Sequence, residues 1–189
     1  EVPPDESRDC FPGAYYRKAV SSVDEWDGME TVVRLPVPHY DMDRVKEKRG
    51  RPLDNASIYL GGHAVQQEVD AGVTWEVIRE PDGSVSKVGK AFRPFWRVKQ
   101  WGNATAKPEL YYLPGDVLRM TLRTEKKGKL RMEVEVLERT EESMAMLERF
   151  GASDEKTTFT ITFDAAPFGP KQKQEFKRVN GLDQSGNEG

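Results

Sequence analysis

The stretch from Gln66 to Val77 constrains this chain more than any other. Read at a period of two, Glu68, Asp70, Gly72, Thr74 and Glu76 share one face, while Val69, Ala71, Val73, Trp75 and Val77 share the other. Successive side chains of a strand point to opposite sides, so this pattern predicts a β-strand with one apolar and one acidic face.

The rest of the chain repeats the theme. Runs at Ala14–Val20 and Glu30–Leu35 are flanked by Gly, Asp and Pro and read as strands. Ser57–Leu60 reads as a short strand ended by Gly61 and Gly62, and the acidic strand as continuing to about Arg79, before the turn Pro81–Ser84. Ala91–Trp101 follows, with Pro94 marking an edge position or a bulge. Val117–Arg123 and Leu130–Leu137 flank Glu125-Lys126-Lys127-Gly128 as a hairpin. Its inward set is Leu118, Met120, Leu122, Leu130, Met132, Val134 and Val136. Thr157–Phe163 alternates Phe and Ile with threonines, and Lys171–Gly189 has room for one last edge strand and a tail. Only Glu141–Phe150 has a helical pattern, besides a single helical turn expected near Arg44–Lys48, in the proline- and charge-rich excursion from Pro36 to Asn55.

Many short strands and one helix predict an all-β fold, a two-sheet antiparallel β-sandwich of jelly-roll type. The 189 residues suit one domain. Residues 1–13 read as a flexible leader, 14–180 as the sandwich and 181–189 as a loose tail. Cys10 is the sole cysteine, so no intrachain disulfide is expected.

Charge narrows the partners. A formal net charge of −3 argues against nucleic acid, whose binders carry a basic excess. No apolar run approaches the roughly 20 residues that span a bilayer. His39 and His63 lack partners at ligand spacing, so no metal site is expected. Asp41, Asp43, Asp54 and Asn55 offer oxygen atoms suited to calcium but form no complete calcium loop.

The acidic strand carries the candidate chemistry. Glu68-Val69-Asp70 followed by a small residue, on a strand of a sandwich, is similar to the Glu-x-Asp motif of laminarinase-type glycoside hydrolases in the concanavalin A-like superfamily. The resemblance implies a nucleophile at Glu68 tuned by Asp70. The family's acid/base Glu would fall two or three residues later, where this chain has Gly72 and Val73. Spacing permits the pair: residues two apart on a strand stand roughly 6.7 Å apart at Cα, within reach of glycosidase carboxyl separations.

A second constellation gathers in the central third: Trp75, Phe92, Phe95, Trp96, Trp101, Tyr111 and Tyr112. Aromatic faces stack on sugar rings, and Arg97, Gln100 and Asn103 offer hydrogen bonds to hydroxyls, although any sandwich also needs such rings in its core. Trp96, Trp101, Tyr111, Tyr112 and Arg97 are therefore the candidate substrate-binding residues. Two sequons, at Asn55 and Asn103, fall in predicted loops. Together these features predict a secreted or cell-surface sandwich that binds carbohydrate or polysaccharide. The alternatives are a glycoside hydrolase or polysaccharide lyase acting through Glu68 and Asp70, and a structural or protein-binding sandwich with no sugar site.

Overall fold

The computed structural model describes residues 15–38, 45–46, 51–52, 54–79, 85–153 and 158–184. Cys10, His39, Asp41 and Asp43, and with them part of the calcium expectation, lie outside the described residues, as do the side chains of Asp54 and Asn55.

Twelve strands and one helix are described: β1 (Tyr15–Val20), β2 (Gly28–Arg34), β3 (Val45–Lys46), β4 (Arg51–Pro52), β5 (Asp54–Ala64), β6 (Gln67–Arg79), β7 (Val85–Arg97), β8 (Trp101–Asn103), β9 (Val117–Lys126), β10 (Lys129–Glu138), α1 (Glu141–Arg149), β11 (Thr158–Asp164) and β12 (Glu175–Gln184). They form a six-stranded sheet, β1-β12-β5-β6-β7-β8, and a four-stranded sheet, β11-β10-β9-β2, with β3 and β4 paired separately. Every pairing is antiparallel. The molecule is a two-sheet antiparallel sandwich with one short helix, as the sequence predicts.

Alternation explains the core. Ile58, Leu60 and Ala64 of β5, Val69, Ala71 and Val73 of β6, Phe92 of β7 and Phe176 of β12 meet Val33, Leu118, Met120, Leu122, Leu130, Met132, Val134, Val136 and Phe163 from the second sheet in one buried cluster. The hairpin's predicted inward set is buried throughout. The opposite face of the smaller sheet is a lattice of ions, with Arg119 on Glu135 at 2.8 Å and Arg131 on Glu133 at 2.6 Å. Such pairs contribute little individually and keep the face solvated.

Five local expectations are corrected. The strand at Ser57–Leu60 runs on through Gly61 and Gly62 to Ala64, because those glycines sit under close neighbours and do not turn the chain. The sequon at Asn55 therefore lies in a strand and not a loop, with its Ser57 buried and hydrogen-bonded to Thr74 at 3.0 Å. Val45–Lys46 pairs with Arg51–Pro52 as strands where a helical turn was expected. The last strand is not an edge, since β1 lies outside β12. Pro94 lies in the regular ladder with no bulge; its carbonyl accepts from Ala104 just beyond the end of β8. Its ring nitrogen points the same way, to the position where the β7–β8 ladder has already ended at Phe95 and Asn103, so the missing donor falls outside the ladder.

α1 is held by its start. Thr140 caps Ser143 N at 3.1 Å, and Glu141 and Glu142 occupy the first turn. Asp116, wholly buried, accepts from Leu113 N, Thr140 N and Ser143 Oγ. This carboxylate fastens the helix to the turn before β9.

Candidate functional site

The acidic face of β6 points away from the second sheet, and the strands beside it determine what it meets. Across the outer face of the larger sheet, Lys177 pairs in register with Gly61, Gly61 with Asp70, Asp70 with Arg97, and Arg97 with Trp101. Paired residues in a sheet share a side, so these five form one row crossing β12, β5, β6, β7 and β8. The rows beside it run Val179–Tyr59–Gly72–Phe95–Asn103 and Glu175–His63–Glu68.

Asp70 is the centre of the first row. It is 4% exposed. Its Oδ2 accepts from Nε of Arg97 at 3.0 Å and also from Nη2, while Lys177 Nζ stands 3.0 Å from Oδ1 as an ion pair without hydrogen-bond alignment. One carboxylate thus faces two cations. Burial works to lower the Arg97 pKa, but the attraction of Asp70 and its hydrogen bond, with Tyr59 and Glu68 adding to them, carry it above its ordinary value. Lys177 also lies 6.0 Å from the centre of the Tyr59 ring.

Two glycines open this surface. A Cβ at Gly61 would come within 2.8 Å of Lys177 Cε, so the bare backbone lets the lysine cross β5 to Asp70. A Cβ at Gly72 would meet Tyr59 Cβ at 2.7 Å. Tyr59 and Phe95 flank that gap and meet edge to face at 5.9 Å. Gly72, where the glucanase-like motif would want a proton donor, therefore makes room for rings.

Glu68 is exposed, opposite half-buried His63. Glu76 is held by Arg93 and by Asn103 Nδ2 at 2.8 Å, and Asn103 Oδ1 accepts from Trp101 Nε1 at 2.6 Å. The Asn103 sequon side chain is thereby engaged at the end of β8. The face is a mixed field of acids and bases, because β7 and β12 place Arg93, Arg97 and Lys177 beside the carboxylates of β6.

The aromatic candidates separate. Trp101 stays on the outer face, 47% exposed, stacked on Phe95 at 4.4 Å and 7°. Trp96 points inward and stacks on Phe159 at 6.2 Å. Tyr111 packs with Ala91, Leu113 and Met146, and Tyr112 is wholly buried in the main core, its hydroxyl without a partner among the described residues. Of the candidate residues, the structure brings Glu68, Asp70, Arg97 and Trp101 together. Lys177, Tyr59 and Phe95 complete the group; the sequence does not single out Lys177, because a last strand read as an edge gives no register against β5 and β6. Among the described residues no three His, Cys, Asp or Glu side chains stand close enough to hold a metal, and no helix is long and apolar enough to cross a membrane.

No protein-family model matches the chain, and no curated protein matches it. Solved structures do. Two are scytalido-glutamic peptidase, one with a peptide-based transition-state analogue and one with a transition-state analogue inhibitor; both superpose with a TM-score of 0.52 at 8% identity over 87% of this chain. This chain spans 63% and 64% of those two chains. A further similar structure is SCP-B, a member of the eqolisin family of peptidases, in complex with the tripeptide Ala-Ile-His, with a TM-score of 0.46. The shared feature is the sandwich fold.

This likeness corrects the functional expectation. The two structures that superpose at a TM-score of 0.52 are peptidases, not lectins or glycoside hydrolases. The carbohydrate-binding reading is withdrawn, with its glycan partner, and so are the glycosidase or lyase and the purely structural or protein-binding alternatives. The buried, doubly paired Asp70 supplies a physical reason. A carboxylate clamped by two cations is not a free partner for Glu68 in glycoside chemistry.

Proposed function

We propose that this chain is a peptide hydrolase whose site lies on the outer face of the six-stranded sheet. One observation carries the reading: an exposed carboxylate, Glu68, stands two residues from Asp70, which anchors Arg97 and Lys177 on the same face. The fold it shares with scytalido-glutamic peptidase, whose structures hold transition-state analogues, supports the substrate class.

Each residue has a role in this reading. Glu68 takes a proton from water as the water oxygen bonds to the amide carbon. The oxyanion that forms lies in the positive field of Arg97 and Lys177, which Asp70 holds on this face. Glu68 then delivers the proton to the amide nitrogen as the C–N bond breaks, giving a carboxylic acid and an amine. The atoms balance with water as the only co-reactant.

The test is cleavage of a library of internally quenched peptides from pH 3 to 8. The wild type is expected to cleave, and Glu68→Gln to lose about 100-fold or more of kcat with unchanged thermal unfolding. Absence of cleavage by the wild type across the library, or full activity in Glu68→Gln, overturns the reading.

A further inference from the structure

We propose that Arg97 and Trp101 form a subsite for the C-terminal residue of a peptide, the α-carboxylate on Arg97 and an apolar or aromatic side chain on the exposed part of Trp101. This rests on the peptide reading of the same face and names its substrate class: chains presenting a free C-terminus.

Arg97 and Trp101 are direct partners across β7 and β8, which sets their Cβ atoms about 5 Å apart. That suits two groups borne by one Cα. The Arg97 side chain is 49% exposed. Its Nε and Nη2 both turn to a single oxygen of Asp70. The remaining Nη1 side of the fork is left for an anion, and Arg is the residue whose geometry suits a carboxylate. Asp70 neutralises Arg97 incompletely because it serves Lys177 as well.

Trp101 is held as a plate. Its Nε1 is tied to Asn103, Phe95 lies flat beneath it, and Tyr59 props Phe95 edge-on. With Phe95 against one face, the 47% of Trp101 that is exposed lies on the rest of the side chain. A rigid ring spends little entropy on a ligand and offers one stacking surface. A cation beside an open ring fits a terminal residue better than an internal acidic one, which brings no second group to the plate.

Glu68 sits on the same face and also acts on Arg97, so it competes with an incoming carboxylate. Removing its charge should therefore strengthen binding while abolishing turnover, which separates the two readings.

The test uses N-acetyl-Ala-Ala-Phe as free acid and as C-terminal amide, with N-acetyl-Ala-Ala-Ala acid as the third probe, titrated by calorimetry at pH 7. The acid of the Phe peptide is expected to bind at least tenfold tighter than its amide. Arg97→Gln should erase that preference, and Arg97→Lys should retain part of it. Trp101→Ala should erase the preference for Phe over Ala while keeping that for acid over amide. Glu68→Gln should tighten acid binding severalfold. Equal affinity of acid and amide for the wild type, or no binding of either, overturns the proposal. Tight acid binding with no hydrolysis upholds the subsite and sinks the hydrolase; cleavage indifferent to the terminal carboxylate does the reverse.

Discussion

Asp70 of β6 and Lys177 of β12 belong to strands that do not pair with each other, and they meet at 3.0 Å across Gly61 of the strand between them. Both side chains are nearly buried. Removing one member of such a pair leaves the other's charge stranded, which costs about 3 to 5 kcal/mol. Asp70→Ala is expected to lose about that much in urea unfolding. The double variant Asp70→Ala/Lys177→Met should recover part of the loss, since no lysine charge then remains buried. Equal stabilities for the single and double variants would show that Lys177 already escapes to water.

Gly61 makes that meeting possible. A methyl group there would press on the backbone of Val69 and on Lys177 Cε. Lys177 can shift, but the Val69 carbonyl belongs to the β5–β6 ladder and cannot. Gly61→Ala is expected to destabilise by about 1 to 3 kcal/mol, in the range of overpacked cores. Restoration of that stability by Lys177→Ala would mean that the lysine, and not the strand, was the obstacle.

How much of this was legible in the sequence depends on whether a residue's partner is near in the chain. The faces of β6, β9 and β10 follow from alternation within each strand, so Val69, Val73, Leu122 and Met132 were placed on the core side without knowing their neighbours. The chemistry of the outer face depends on register between strands. Asp70 looked like a free acid until β7 and β12 set Arg97 and Lys177 beside it, from sequence positions far away. Gly61 and Gly62 looked like a stop because glycine usually ends strands; here they admit a neighbour's side chain and backbone, which no local pattern reveals. Among the rings, Tyr112 and Trp101 are alike in sequence, and only topology buries the first and bares the second.

The same logic applies at Asp116, whose wholly buried carboxylate accepts hydrogen bonds from the turn before β9 and from the first residues around α1. Arg139 stands 3.7 Å away, itself nearly buried. Asp116→Ala would orphan these donors and take away the acid that Arg139 meets at the start of α1. A loss of about 3 to 5 kcal/mol is expected. Helix loss should precede global unfolding in native-state hydrogen exchange, with amides of Ser143 to Leu147 losing protection first. Uniform loss of protection across β9 and β10 instead would place the staple in the core rather than at the helix.

Tyr112 ties the alkaline limit of the fold to one hydroxyl. Burial pushes its pKa well up, with Arg139 pulling it down and Asp116 raising it further. In the unfolded chain the phenol ionises near its ordinary value of about 10. Below that pH both states hold the proton and the group is neutral to stability. Above it the unfolded state gains by ionising while the native state cannot, so stability falls by about 1.4 kcal/mol per pH unit until the folded value is passed. Tyr112→Phe removes this slope. It also removes a buried hydroxyl with no partner among the described residues, so at pH 7 the variant should be at least as stable as the wild type, within about 1 kcal/mol. At pH 11 it should be more stable by about 1.4 kcal/mol beyond whatever difference exists at pH 7. Urea midpoints at the two pH values measure this directly. A pH-independent difference between the two proteins would mean that the phenol ionises in place, and that the core around Tyr112 admits water.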